Sequence, residues 1–459
     1  MRNLGGTAIM INHNLVPYIL NEYIGRGFFI EKNRSVNKMN ILEDLQKRGL
    51  IQQITNEEGL QKHLEEKEVK LYCGFDPTGD SLHIGHLLPV TILKRFQDAG
   101  HKPIALIGGG TGMIGDPSGR SSERSLNTVE TVKSYADALT NQLSQLLKFD
   151  NSSNSVVARN NNDWLSQMSI IDFLRDAGKH FTVNYMLAKD SVSSRIEEGI
   201  SYTEFSYMLL QSVDFLNLYK EEGVSLQIGG SDQWGNITAG LEFIRRSLDD
   251  ENIEAYGLTV PLITKADGSK FGKTAGGAIW LDPEKTSPYE FYQFWYNTDD
   301  RDVIKFLHYF TFISYEEIEE LTKQTETNPG ARLAQKRLAE EVTTFVHGTE
   351  ALNRAIKISE ALFSGEIKQL SVAEIKEGFK DVPTYETEEK ALNLVDLLVA
   401  AQISPSKRQA REDIKNGAIY INGERNQDIA YTMDESDRLE DTFTVIRRGR
   451  KNYSLIRYK

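Results

Sequence analysis

Residues 71–88 read LYCGFDPTGDSLHIGHLL, and the fold turns on them. Leu71-Tyr72-Cys73-Gly74-Phe75 is a short apolar run, Asp76-Pro77-Thr78-Gly79-Asp80 is turn chemistry, and Leu87, Leu88, Val90, Ile92, Leu93 and Phe96 follow at helical spacing. This order predicts a strand, a turn and the start of a helix. The amides of a first helical turn have no acceptor inside the helix and face whatever lies beyond the strand end. His83 and His86 are three positions apart and are expected on one helix face. Positive or hydrogen-bonding character then stands where a phosphate could sit.

Working outward, strand signals recur at 102–108, 156–159, 225–230 and 258–263. Helical patterns separate them at 87–100, 129–149, 164 to about 219, and 232–248, and two acidic helices occupy 40–66. Strands alternating with helices predict a parallel sheet covered on both faces. Such a sheet binds ligands beyond its strand C-termini. From Pro283 to about Lys380 there are almost no strand signals and helical patterns dominate, 381–390 reads as a polar linker, and 391–459 mixes two helices with short strands. The expected architecture is therefore α/β: a Rossmann-like domain over 39–282, an α-helical domain over 283–380, and a small α+β domain over 391–459. Residues 1–38 are expected to be an unstructured upstream extension or a leader, with Met39 the functional beginning.

The chain has 459 residues, room for two or three domains. Its net charge is −13, so a nucleic-acid partner would have to meet a locally basic surface. Residues 391–459 carry 12 Lys+Arg against 10 Asp+Glu, the relatively basic end of an acidic chain. Cys73 is the single cysteine, which excludes an intrachain disulfide and fits a reducing, cytoplasmic compartment. No apolar run approaches the roughly 18 residues of a membrane span.

Two Gly-rich stretches could carry phosphate chemistry. Gly110-Thr111-Gly112-Met113-Ile114-Gly115 matches a dinucleotide fingerprint, but Asp116-Pro117-Ser118-Gly119 breaks the chain where that motif needs a helix. Asp267-Gly268-Ser269-Lys270-Phe271-Gly272-Lys273-Thr274 ends like a P-loop, but Asp267 stands where its first glycine belongs. What remains is Lys270 and Lys273, three apart. They form either a solvated loop or a clamp on a polyphosphate. Tyr207, Gln211 and Asp214, spaced by four and three, share a helix face that is either solvent-exposed or the polar wall of a pocket.

CGFDPTGDSLHIGHL, GGGTGMIGDPSG, YTEFSYMLLQSVDF, QIGGSDQWGN and KFGKT occur here in that order. Together they resemble the bacterial tyrosyl-tRNA synthetases, a family of class I aminoacyl-tRNA synthetases. The resemblance implies a ligase that activates L-tyrosine with ATP, releases pyrophosphate, and transfers tyrosine to the 3′ end of tRNA(Tyr). It implies that Tyr72 and Asp214 hold the phenol hydroxyl, that Asp116, Tyr207 and Gln211 hold the ammonium, and that Gln233 and Asp76 lie near the carboxyl and amino ends. For ATP it implies Cys73 and Asp232 at the ribose, and Gly74, Gly85 and Gly230 where the nucleotide passes. Thr78, His83 and His86 would serve the phosphates, met by Lys270, Lys273 and Thr274. Arg120 and Arg124 resemble a further basic pair. Arg120 stands where lysine is frequent, and KFGKT where KMSKS is common. Mg²⁺ is expected with ATP, with no protein metal site.

The same resemblance implies that 391–459 is a ribosomal-protein-like RNA-binding fold, with Lys407, Arg408, Arg411 and Lys415 facing tRNA phosphates. A segment near 151–200 would form a homodimer. A tryptophanyl enzyme shares the fold, but Tyr72, Asp214 and the tail argue against it. An RNA-binding regulator on a synthetase fold would be expected to lack His83, Lys270 or Lys273.

Overall fold

The structure is a computed structural model. It describes residues 40–459 apart from 121, 123, 124, 151, 198, 249–251, 269, 270, 275, 276, 381, 450 and 451. The 1–38 extension therefore lies outside the described residues.

The central sheet has six strands: β1 (Gln53–Ile54), β2 (Lys70–Phe75), β3 (Lys102–Ile107), β4 (Val157–Asn160), β5 (Val224–Gly230) and β6 (Tyr256–Val260), in spatial order β1-β6-β5-β2-β3-β4. All neighbours are parallel except the edge pair β1 and β6. The central strands read as continuous apolar runs because helices cover both faces; Leu71, Tyr72, Cys73 and Phe75 are all buried. From β2 the chain builds outward through β3 and β4, then returns to lay β5 and β6 on the other side of β2. The switch point thus lies between β2 and β5, where an open sheet leaves a crevice at its C-terminal edge. There Tyr72 is in register with Gln227.

Four helices frame this edge: α1 (Ile84–Asp98), α2 (Val129–Leu146), α3 (Tyr202–Glu222) and α4 (Trp234–Leu248). Helix α1 begins three residues earlier than the apolar pattern predicts. The last strand of the sheet ends at Val260, because Pro261 has no N–H to continue a ladder. The two-residue strand β1 interrupts the region read as helices only.

The helical region, Pro288–Tyr296, Asp300–Phe310, Tyr315–Thr327 and Leu333–Ser364, shares its core with the sheet. Trp295, Phe306, Leu307 and Phe310 belong to one buried cluster with Leu71, Leu87 and Phe96. Polar ties reinforce the join: the buried Arg95 pairs with Asp44 and donates to Thr311 O, and Tyr315 donates to Asp44.

The reading of 381–390 as a linker needs correction. Thr384–Thr387 is an edge strand of the C-terminal five-stranded sheet, paired in parallel with Leu455–Tyr458. The sheet's Phe443, Val445 and Leu455 also pack on Ile358, Ile367, Leu370, Ile375 and Phe379. The C-terminal region is thus docked on the helices rather than suspended from them.

Candidate active site

A cavity of about 610 Å³ opens at the switch point. Its walls include Tyr72, Cys73, Gly74, Asp76, Thr78, His83, Gly85 and His86 from β2 and the start of α1. Tyr207, Gln211 and Asp214 come from α3, Gly230, Asp232 and Gln233 from the end of β5, and Asp116 from the loop after β3. The alternative of a solvent-exposed Tyr207–Gln211–Asp214 face is excluded. Arg120 is exposed and outside the cavity wall. Arg124 and Lys270 lie outside the described residues, as do the side chains of Lys273 and Thr274.

At the closed end, Asp214 is 1% exposed. Trp164 Nε1 donates to its Oδ1 at 2.8 Å and Asn161 Nδ2 to its Oδ2 at 2.9 Å. Burial nevertheless pushes the Asp214 carboxyl up to about 8, because desolvation outweighs the two donors and the Asp76 carboxylate opposes a second charge. The Tyr72 hydroxyl and Gln227 Oε1 are buried there without hydrogen-bond partners. Buried polar groups are normally paired, so two orphans beside a carboxylate mark the place of a polar ligand group. Burial also holds the Tyr72 and Tyr207 phenols well above their ordinary range, so both stay protonated.

The middle of the cavity differs in pairing from the expected ammonium site. Tyr207 donates its hydroxyl to Asp76 Oδ2 at 2.7 Å, while Thr111 donates to Asp76 Oδ1 at 2.7 Å. Asp116 instead accepts from Gln233 Nε2 at 2.7 Å, and Gln211 Nε2 donates to Gln233 Oε1 at 3.3 Å. Gly108 makes this possible. A Cβ there would lie 1.9 Å from Asp76 Oδ1, so the Gly-rich turn admits a carboxylate rather than cradling a phosphate.

At the open end His83 is the N-cap of α1, outside the helix rather than on its face. His83 Nδ1 accepts from Gly85 N at 3.0 Å, and His86 Nδ1 accepts from His83 N at 3.2 Å. Both bonds require an unprotonated Nδ1, which leaves each Nε2–H as a donor. A Cβ at Gly85 would sit 2.7 Å from the His83 ring, so glycine there is required by the cap; a Cβ at Gly74 would meet nothing within 4 Å, which leaves that floor open to a ligand. Burial pushes the Cys73 thiol up to about 12, so it is a neutral group and not a nucleophile. Burial also raises the Asp232 carboxyl.

The lysine stretch is brought to this end. β7 (Lys273–Thr274) pairs with β8 (Gly277–Ala278). Ile84 N donates to Ile279 O at 3.0 Å and Leu281 N to Leu82 O at 2.8 Å. The strand leaving the lysines is therefore stitched to the first turn of α1.

Asn161, Trp164, Thr111 and Gln227 escaped the sequence reading. Thr111 lies in the Gly-rich stretch after β3 and Gln227 in β5, Asn161 and Trp164 lie just after β4, and no spacing along one element joins them to Asp214. A pH effect follows from Asp214. Its carboxyl is raised in the folded chain, so the folded state binds the extra proton and stability falls as pH rises from about 4 towards 8. Asp214→Asn removes this term. Without ligands, the parent's Tm should drop more than the variant's between about pH 5 and 8, as calorimetry would read; equal slopes would refute the raised carboxyl.

A parallel sheet with a crevice at its switch point, a histidine-capped helix and an adjoining lysine stretch define a class I nucleotide-activating enzyme. Residues 62–364 match the family of tRNA synthetases class I (W and Y), and residues 374–456 match the tyrosine–tRNA ligase SYY-like C-terminal domain. The chain is 67% identical over 422 residues to a tyrosine–tRNA ligase of Oceanobacillus iheyensis, covering 91% of this chain and 99% of the relative. It is 66% identical over 421 residues to tyrosine–tRNA ligase 1 of Bacillus subtilis, covering 92% of this chain and all of the relative. A crystal structure of a C-terminally truncated mitochondrial tyrosyl-tRNA synthetase of Aspergillus nidulans superposes with a TM-score of 0.65 at 31% identity, covering 71% of this chain and 95% of that one. The chain belongs to the tyrosine–tRNA ligases.

Proposed function

We propose that the switch-point cavity is where this ligase joins tyrosine to ATP. The observation that carries the assignment is a single cavity with an unpaired phenol-reading pair, Tyr72 and Gln227, beside Asp214 at its closed end and the two histidines at its open end. The phenol hydroxyl of tyrosine enters between Tyr72 and Asp214. Its ammonium lies by Asp76, Asp116, Tyr207 and Gln211, and Gln233 steadies the carboxyl end. ATP crosses Gly74 and Gly230, its ribose near Asp232 and Cys73. A tyrosine carboxylate oxygen attacks the α-phosphorus, forming tyrosyl-adenylate as the bond to pyrophosphate breaks. A hydroxyl of the terminal tRNA ribose then attacks the acyl carbon and releases AMP.

The first step uses no nucleophilic side chain, since the substrate supplies one. The protein's part is alignment and stabilisation of phosphate charge, from Thr78, the Nε2–H groups of His83 and His86, and Lys270, Lys273 and Thr274. Arg120 and Arg124 are assigned to the same phosphates from the loop after Asp116. Mg²⁺ comes with ATP; among the described residues no group of three or more His, Cys, Asp or Glu could hold a metal ion. Lys407, Arg408, Arg411 and Lys415 contact tRNA phosphates, in the cytoplasm, where tRNA and ATP are at hand. Among the described residues no helix is long and apolar enough to cross a membrane.

The decisive experiment is ATP–pyrophosphate exchange with each aromatic amino acid, and exchange driven by tryptophan or phenylalanine in preference to tyrosine would overturn the assignment. A site built to pair a hydroxyl leaves its own groups unpaired when phenylalanine enters; tyrosine-selecting synthetases are the standing example. Tyr72→Phe should lower kcat/KM for tyrosine by about 3- to 10-fold, the value of one neutral hydrogen bond, without lowering it for phenylalanine.

A second copy of the chain completes the reading. Ile170, Ile171, Leu174, Val183, Leu187 and Ile196 are 39–73% exposed on one short run of helices and turns, within the segment expected to form a dimer. Sedimentation should give the mass of two chains; a monomer at micromolar concentration would reject that face.

A further inference from the structure

We propose that the helix Asp300–Phe310 positions the lysine stretch for catalysis, with Asp302 and Phe271 as positioning residues. The proposal rests on the reading of Lys270 and Lys273 as phosphate-binding groups. Two ammonium groups aid the transfer only if the backbone carrying them is placed to within a fraction of an ångström, and this backbone is permissive. Gly268, Gly272 and Gly277 have φ of 77°, 79° and 111°, a region that glycine enters without steric penalty. A stretch of that kind holds a geometry only if something outside it fixes its ends.

The structure supplies a fixing point on each side of Lys270. Before it, Asp302 is 3% exposed. Its two carboxylate oxygens accept from Ala266 N at 3.1 and 2.9 Å. Lys305 Nζ pairs with Asp302 Oδ1 at 3.0 Å and donates to Thr264 O at 2.7 Å. Thr264 lines the catalytic cavity, so this anchor begins at the cavity wall. After it, Phe271 enters a ring of Phe294, Trp295, Phe306 and Phe310, stacked on Phe310 at 5.6 Å and 11°. Asp302, Lys305, Phe306 and Phe310 all belong to the same helix.

The next residue reaches the histidine end. A Cβ on Gly272 would lie 2.9 Å from Ile84 Cγ1, and Gly272 O accepts from Ile279 N at 3.1 Å. Phe271 and Gly272, between the two lysines in sequence, therefore lie between the first residue of α1 and the helix Asp300–Phe310. A backbone N–H held by a carboxylate makes a charge-assisted bond, stronger than a neutral one. Its use just before a glycine-punctuated loop suits alignment, where a misplacement of about 1 Å can cost on the order of 10²-fold in rate.

The test uses the full chain, with rapid-quench single turnover of tyrosine and MgATP, and equilibrium dialysis for tyrosine. Asp302→Ala should slow adenylate formation by about 10- to 100-fold while tyrosine affinity stays within about twofold. Asp302→Asn, which keeps an acceptor for Ala266 N, should recover most of the rate. Phe271→Leu should be slowed less than Phe271→Ala, and serves if Asp302→Ala fails to fold. In a Lys270→Ala/Lys273→Ala background, Asp302→Ala should add less than about a twofold effect, since residues acting through one another do not add. The same full factor in that background, or a loss of tyrosine affinity parallel to the loss of rate, would overturn the positioning role. If Lys270→Ala/Lys273→Ala itself forms adenylate at the parent rate, the reading of the lysines fails, and the proposal falls with it.

Discussion

Replacing Lys273 with alanine should slow tyrosyl-adenylate formation by on the order of 10²-fold or more, the usual loss of one preorganised donor to transition-state charge. That factor corresponds to about 2.7 kcal/mol of activation free energy. The expectation comes from position. Lys273 sits in β7, directly after Gly272, and the chain leaving β8 is hydrogen-bonded to Leu82 and Ile84 at the histidine cap. Negative charge accumulates on the phosphate oxygens as pyrophosphate departs. A cation held beside them then contributes more in the transition state than in the ground state. Tyrosine affinity should not change, because the phenol and ammonium ends of the cavity are built from β2, α3 and the Asp116 loop. Rapid-quench rates with dialysis of tyrosine separate the two effects. An unaltered pyrophosphate-exchange rate would remove Lys273 from the reaction.

The parts of this site legible in the sequence are those whose signal is local. Strands β2, β3 and β5 were found to within a residue or so because they are buried on both faces and end in glycine or turn residues. Tyr207, Gln211 and Asp214 were legible because one helix face carries all three. The capping role of His83 was not. Helix N-caps are normally Ser, Thr, Asp or Asn, and histidine can accept only through one ring nitrogen in one tautomer, which no spacing announces. Asn161 and Trp164, just after β4, and Gln227, within β5, were missed because they reach the phenol end from elements other than the helix that carries Asp214. Gly108 was legible as a turn but not as space for Asp76. Thr384–Thr387 read as linker because its partner strand, Leu455–Tyr458, lies at the far end of the chain.

The C-terminal region should be dispensable for activation and required for charging. Removing it should abolish aminoacylation of tRNA and leave ATP–pyrophosphate exchange intact. The docking of its sheet decides how the test is made. A cut at 390 would strip Thr384–Thr387 of its partner strand and expose Ile358, Ile375 and Phe379, so lost charging could reflect a damaged helical region. Arg408→Glu with Arg411→Glu avoids this. Both side chains are exposed on the helix Lys407–Lys415, and among the described residues neither has an ion-pair partner, whereas Lys407 is paired with Asp396 at 2.7 Å. The pair should raise KM for tRNA by about 10- to 100-fold at physiological salt and lower the slope of log kcat/KM against log salt by roughly 1 to 2, as two phosphate contacts are lost. The exchange rate should not move, because the helix is remote in the chain from every residue of the cavity and belongs to a separate buried cluster. Charging at the parent rate and with the parent salt slope would take the tRNA contact away from this helix.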